Sequence, residues 1–183
     1  MKKRSVNEVK RVISESWPSS SESPNSTDGK RPDLIRYFGD VDNKMLFSVC
    51  QRPHHFMFSS GGGCLYTMSA ITDFLRLAGD IRIIATGQCM SAAVPVLAAG
   101  RERFCTSQTR FMVHPVYVSG SADLNINALQ IEQTELRLKL QLMTRILAAH
   151  TKMPAKFWRD RMQGENYFGA RDALKWGLVD FIL

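Results

Sequence analysis

No apolar run in the chain approaches the length of a membrane span, and its first residues, MKKRSVNEVKRVISES, lack the apolar core of a secretory signal. Together these absences predict a soluble, unsecreted protein with no membrane partner. Cysteine is sparse: Cys50, Cys64, Cys89 and Cys105 are widely spaced and form no CxxC pair. That spacing argues against a zinc site or a disulfide framework and predicts small buried hydrophobes in a reducing compartment. The lysine and spacing of a phosphate-binding P-loop are missing, as is GxGxxG, so ATP hydrolysis would have to come from another chain. Basic residues are not interleaved with aromatics in any stripe. The formal net charge of +7 is spread along the chain, +3 from residues 1–32 and +4 from the rest, which gives no footprint for nucleic acid. No internal repeat is present.

What remains is a globular composition, 44% hydrophobic and 22% charged over 183 residues, long enough for one domain with a full core. Residues 1–32 open with a short possible helix and pass into WPSSSESPNSTDGKRP, a tract too poor in apolar surface to order itself. The expected division is a flexible tail over 1–32 and a folded domain over 33–183. Glu8, Glu15, Glu22 and Asp28 in that tail argue against a transit peptide.

From residue 34 onward strand and helix patterns alternate. Leu34–Phe38 reads as a strand with a turn at Gly39-Asp40, Met45–Val49 as a short helix, and Phe56–Phe58 as a second strand. His54 and His55 between them have no partner at metal-ligand spacing, so surface or loop histidines are expected. After the turn Ser59-Ser60-Gly61-Gly62-Gly63-Cys64, apolar residues at 71, 74, 75 and 78 mark a helix. Ile81–Ala85 is a third strand and Arg110–Val113 another, ending at His114-Pro115. A long helix is expected from about Asn125 to His150. One of its stripes carries Leu129, Leu136, Leu140, Met143 and Leu147, and a second carries Leu138, Leu142 and Ile146, which suggests packing on its own domain and on a partner chain. Thr151–Arg161 reads as a short helix and Gly164–Phe168 as a turn or loop. Ala170–Trp176 forms a helix capped by Gly177, and Leu178–Leu183 is a final strand. Such alternation implies parallel βαβ units.

The chain is organised around Thr86–Gly100, TGQCMSAAVPVLAAG, which places Ser91 where a strand hands over to a helix. Unpartnered N–H groups and a partial positive charge gather at a helix N-terminus, so a nucleophile there has donors at hand for an oxyanion. An ordinary helix cap is the commonest use of a serine in this position and is the competing reading of Ser91. The glycine turn at 61–63 offers backbone N–H groups that a ligand can approach closely, or simply a turn that needs positive φ. His114 follows one βα unit after Ser91, as α/β folds require for side chains that meet at the strand C-terminal edge.

In this order the pieces resemble the proteolytic subunit of the Clp protease family, from about Ser59 to the C-terminus. The family's SPGGS turn falls on Gly62-Gly63, and its AI-x-D pattern on Ala70-Ile71-Thr72-Asp73. The nucleophile motif GQAASMG falls on Gly87 to Ala93. The segment RFC…SR-VMIHQP runs from Arg103-Phe104-Cys105 to Arg110–His114, and GLVD falls on Gly177–Asp180. The resemblance implies a crotonase-like spiral of βαβ units with a protruding handle helix at 125–150 and rings interlocked into a chamber. It assigns the nucleophile to Ser91, the general base to His114 and, counting back from GLVD, the third member of the triad to Glu165.

The implied chemistry is peptide hydrolysis through an acyl-enzyme, with backbone N–H groups of Gly63 and Ala92 as oxyanion hole and a substrate strand added near Tyr117–Ala122. No cofactor is implied; ATP would be used only by a partner AAA+ unfoldase. Implied partners are further copies of the chain, related Clp-like subunits and unfolded polypeptides, in the cytoplasm or an organellar stroma or matrix. Departures from the pattern are the loss of proline from the glycine turn, Pro95 early in the nucleophile helix, a shortened segment between Gly39 and Phe56, and Glu in place of Asp at 165. A weak or inactive structural subunit and an acyl-CoA enzyme of the crotonase type are the competing expectations.

Overall fold

The computed structural model describes residues 2–15, 32–117 and 125–183, with side chains left out at 2–5 and 126. In chain order its elements are helix α1 (Lys2–Glu15), strand β1 (Leu34–Phe38), α2 (Asn43–Cys50), β2 (His55–Ser60), α3 (Leu65–Ala78), β3 (Arg82–Met90) and α4 (Ala93–Ala98). They continue with β4 (Arg103–Cys105), β5 (Arg110–Val113), α5 (Ile126–His150), α6 (Ala155–Arg161), β6 (Asn166–Gly169), α7 (Ala170–Trp176) and β7 (Phe181–Ile182). Local chemistry sets several of these boundaries. The Asp42 carboxylate accepts from the N–H groups of Lys44 and Met45 and starts α2. The Asn125 side chain likewise accepts from Ala128 at the start of α5, and Gly79 and Gly177 end α3 and α7 in the left-handed conformation.

The sheet runs β1-β2-β3-β4-β7 with all neighbours parallel, the expected α/β succession of βαβ units. Strand β3 changes partner along its length. Its first half, Ile83–Ala85, pairs with β4, and its second half, Gln88–Met90, pairs with β5. The change is made by a bulge: Phe58 faces Ala85, but Ser60 faces Cys89, so β3 gains two residues on β2. The Ser59 hydroxyl closes it by accepting from the Gln88 N–H at 3.2 Å. Strand β5 then pairs antiparallel with β6.

Alternation along the strands divides the interior into two cores. Phe56, Phe58, Ile83 and Ala85 face α3, α4 and α5, where Met68, Ile71, Leu97, Met143 and Leu147 are buried. Met57, Ile84 and Phe104 face the other way, onto Val9 of α1, with Val6, Ile13, Leu34, Phe181 and Leu183 around them. Full burial of Val9 contributes about 1.5–3 kcal/mol to holding α1 in place. Glu8 adds an ion pair to Arg82 at 3.1 Å, and Arg82 also pairs with Glu102 at 2.7 Å.

Several sequence expectations are corrected here. A flexible tail was expected over residues 1–32; within it, 2–15 form a helix docked on the sheet, while 16–31 lie outside the described residues. Its stripe of Val6, Val9 and Ile13 is what the short spacing of apolar residues conceals until a sheet face is there to receive it. Only Cys89 and Cys105 are buried; Cys50 and Cys64 are exposed because they end α2 and precede α3 on the outer side of turns. His54 is exposed, but His55 is buried within β2, its Nδ1 donating to the Asp33 carbonyl at 3.1 Å. Residues 166–169 form a strand, where Gly164–Phe168 had been expected to loop, because β5 offers a free edge. The last strand is shorter than expected, and β4 carried no recognisable periodicity in three residues.

Helix α5 buries Met143, Thr144 and Leu147 in its C-terminal half and exposes Leu129, Ile131, Leu138 and Leu142 further toward its start. Among the described residues no helix is long and apolar enough to cross a membrane.

Candidate active site

Ser91 follows directly on β3 and precedes α4 with φ of 52°, one of two non-glycine residues at positive φ among those described. A serine held in this left-handed region carries about 1–2 kcal/mol of backbone strain. The surroundings maintain it. Its N–H donates to the Met112 carbonyl on β5 at 2.8 Å, and its carbonyl accepts from Val94 at 3.1 Å. Because Val94 serves that carbonyl, the missing N–H of Pro95 costs the turn nothing. The residue ahead of α4 is Ala92, with no side-chain cap, so the cap reading of Ser91 finds no support. The Ser91 hydroxyl is free of hydrogen bonds among the described residues.

The glycine turn comes from the other side. Val41 and Gly63 form an isolated parallel bridge in which the Val41 N–H donates to Gly62 at 2.7 Å and the Cys64 N–H donates to Val41 at 2.9 Å. Using the carbonyl of 62 and the amide of 64 turns the N–H of Gly63 away from Val41. Gly62, at φ of 111°, lies flat against the nucleophile: a Cβ there would fall 2.6 Å from Ser91 Cβ. In place of the absent proline, the buried Ser60 hydroxyl steadies the turn by accepting from the Gly62 N–H at 3.2 Å. Neither the Gly63 nor the Ala92 N–H has a hydrogen-bond partner among the described residues.

His114 directly follows β5, and Pro115 keeps the strand from continuing. Its Nδ1 donates to the Pro115 carbonyl. A carbonyl can only accept, so Nδ1 carries a proton, and in the neutral imidazole Nε2 is then the nitrogen with the lone pair. Tyr117 stacks on the imidazole, with ring centroids 5.2 Å apart and planes 14° from parallel. Ser91, His114 and Gly63 line one cavity of about 100 Å³, whose remaining wall is Leu65, Pro115, Val116, Tyr117 and Met143. The structure therefore brings the serine, the histidine and one amide of the expected oxyanion hole to a common space. No hydrogen bond joins Ser91 Oγ to His114 in this single chain.

Glu165 does not line that cavity. It is exposed, and its carboxylate accepts from the Tyr167 hydroxyl at 3.3 Å. The register of β5 and β6 ends at Val113 with Asn166, so His114 and Glu165 are each the next residue beyond the last pair on their respective strands. Arg161 fixes this end of β6 by donating to the Asn166 side chain at 2.8 Å while lying over Phe157 and Trp176. Of the other nearby acids, Asp160 pairs with Lys156 at 2.6 Å and Asp172 stands in the first turn of α7. Of the segment expected to receive substrate, Tyr117–Ala122, only Tyr117 is described.

Sequence reasoning missed three supports of the site: the Met112 carbonyl, the Ser60 hydroxyl and the pair Arg103–Asp180. Asp180 accepts from the Arg103 guanidinium twice, at 2.7 and 2.9 Å, and from the Arg103 N–H at 2.9 Å, locking β4 to the turn before β7. Both residues stand in matched motifs, RFC and GLVD, but nothing in the sequence says that the two motifs touch. Cys64, beside the oxyanion glycine, is a thiol whose pKa is lowered by hydrogen bonds from Thr67 at the start of α3.

Comparisons with known proteins identify the family. The family described as Clp protease matches residues 45–183. The ATP-dependent Clp protease proteolytic subunit 2 of Frankia casuarinae is 31% identical over 153 residues, covering 79% of this chain and 68% of the relative. Proteolytic subunit 3 of Nocardia farcinica is 28% identical over 127 residues, covering 68% of this chain and 58% of the relative. With most of its length inside the family match, and the spiral sheet and glycine turn in the places the motifs required, the chain belongs to the Clp protease family.

Proposed function

We propose that the protein is a serine endopeptidase that cleaves unfolded polypeptides through an acyl-enzyme. The observation that carries this reading is the strained Ser91 on the wall of a cavity it shares with His114 and the unpartnered N–H of Gly63. In the forward step Ser91 Oγ bonds to the scissile carbonyl carbon while His114 Nε2 takes the hydroxyl proton. The tetrahedral oxyanion is met by the N–H groups of Gly63 and Ala92, worth about 3–4 kcal/mol per donor in other hydrolases. Collapse breaks the C–N bond as the imidazolium returns its proton to the departing amine, and water repeats the sequence to free the acid. A substrate strand is proposed to add near Tyr117–Ala122, through main-chain hydrogen bonds largely indifferent to its sequence.

The wider assembly belongs to the same reading. Exposed Leu129, Ile131, Leu138 and Leu142 on α5 support self-association through that helix, into a ring chamber fed by a separate AAA+ unfoldase that alone uses ATP. Residues 33–183 form the peptidase domain, working in the cytoplasm or an organellar stroma or matrix. A catalytically weak subunit of a mixed ring is the second reading, favoured by the turn of Glu165 toward Tyr167. Fluorophosphonate labelling followed by peptide mapping separates the two. The peptidase reading expects an adduct on Ser91 that His114→Ala suppresses; an unlabelled Ser91 in assembled, folded protein leaves the structural subunit.

A further inference from the structure

Tyr167 on β6 pairs with Met112 on β5, and the register ends at Val113 with Asn166, so that Glu165 and His114 are the residues adjoining the last pair. The carboxylate has one partner there, the Tyr167 hydroxyl at 3.3 Å. Across the strand pair, the His114 Nδ1–H is bonded to a neutral carbonyl, that of Pro115, where a carboxylate would make the stronger, charge-assisted bond. Both Tyr167 and Glu165 are exposed, so neither side chain is held in place by packing.

We propose that Tyr167 is a positioning residue whose hydroxyl competes with the His114 imidazole for the Glu165 carboxylate, so that it sets how often the third member of the triad is engaged. The assignment rests on the peptidase reading for its consequence but not for its geometry. With Glu165 on Tyr167, the imidazole is oriented by Pro115 and Tyr117 alone. With Glu165 on Nδ1, the imidazolium formed during attack gains a counter-charge. The other titratable or charged groups facing this region are Tyr117 and the Ser91 hydroxyl on the cavity wall, Arg110, which shares the face of Met112 on β5 and lies by Gly169, and Arg161, which donates to Asn166. Leu65 and Met143, which face the site from α3 and α5, are uncharged.

The test uses the full chain in its assembled form and four versions of it: unaltered, Tyr167→Phe, Glu165→Gln and the double variant. Two readouts are taken, the pH profile of Ser91 labelling by a fluorophosphonate and the titration of His114 followed by NMR of its ring carbon proton in a Ser91→Ala background. Freed of the tyrosine hydroxyl, Glu165 should raise the His114 midpoint by about half a unit, about threefold in the protonation equilibrium, and speed labelling by a similar factor. Glu165→Gln should cancel both changes. A His114 titration unmoved by Tyr167→Phe, or moved equally when Glu165 is already Gln, overturns the proposal. If no version is labelled, the peptidase reading fails, and the titration still decides the role of Tyr167.

Discussion

Replacing Gly62 by alanine tests the claim that the oxyanion turn and the nucleophile are packed as one unit. A Cβ at this position would meet Ser91 Cβ at 2.6 Å, the Met90 carbonyl at 3.0 Å and Ser91 Oγ at 3.2 Å, at a φ of 111° that L side chains rarely adopt. The two nearest, a Cβ and a backbone carbonyl, cannot swing aside by side-chain rotation, so the backbone of one turn must move. Strain at such a φ and overpacking each cost about 1–3 kcal/mol. The expected loss is thus about 2–6 kcal/mol, which for a chain of this size lowers Tm by about 4–24 °C. Displacing the nucleophile by tenths of an ångström should slow Ser91 labelling by about tenfold or more, since a full ångström costs about 10².

A double-mutant cycle with Ser91→Gly isolates the contact by thermal melts. That substitution removes two of the three close approaches and relieves the positive φ at 91, so the pair should be more stable than Gly62→Ala alone. The coupling expected is about 0.5–3 kcal/mol. If the two changes add to within about 0.5 kcal/mol, or Gly62→Ala melts like the unaltered protein, the packing argument is wrong.

The other expectations concern parts of the fold that hold the site. Asp180→Asn should cost about 2–3 kcal/mol by denaturant unfolding, below the 3–5 typical of a fully buried pair, because Asp180 retains 34% side-chain exposure beside an Arg103 at 14%; an unchanged midpoint would show the pair to be ornamental. Burial holds the His55 pKa below the usual histidine value, so the unfolded chain binds its proton first as pH falls. Stability contributed by neutral His55 is therefore complete above about pH 6.5 and declines below it, and His55→Asn should flatten that decline in melts between pH 7 and 5. A thiol reagent should modify Cys50 and Cys64 in folded protein, Cys64 the faster because Thr67 lowers its pKa. Cys89 and Cys105 should react only in denaturant, since burial raises the Cys105 thiol to about 12 and Cys89 well above its ordinary value.

How far the sequence could be read depended on whether the relevant signal was local. Leu34–Phe38, Arg110–Val113, Asn125–His150 and Ala170–Trp176 were legible because periodicity, a cap or a stop codes for each within its own span. Ser91 and His114 stood out because each sits where a strand ends. By contrast β6 exists only because β5 has an edge to pair with, and α1 is a helix of consequence only because Met57, Ile84 and Phe104 leave a face for Val9. His55 was read as a loop histidine because its partners, Asp33 and Arg82, lie 22 and 27 residues away. Glu165 shows the limit most clearly: counting along the chain puts its backbone beside the base, and the direction of its carboxylate is decided by Tyr167, a neighbour the motif does not mention.

The hydrogen bond from the Ser91 amide to the Met112 carbonyl has a bearing on which lengths of this chain evolution or an engineer can alter freely. The reach from hydroxyl to imidazole is measured across one rung of a parallel ladder, not along the residues that join 91 to 110. Added residues in the turn between β4 and β5 would leave that rung intact. A slip of β5 by a single position would send the imidazole to the opposite side of the sheet, so the phase of these two strands, more than any loop, is what the chemistry requires.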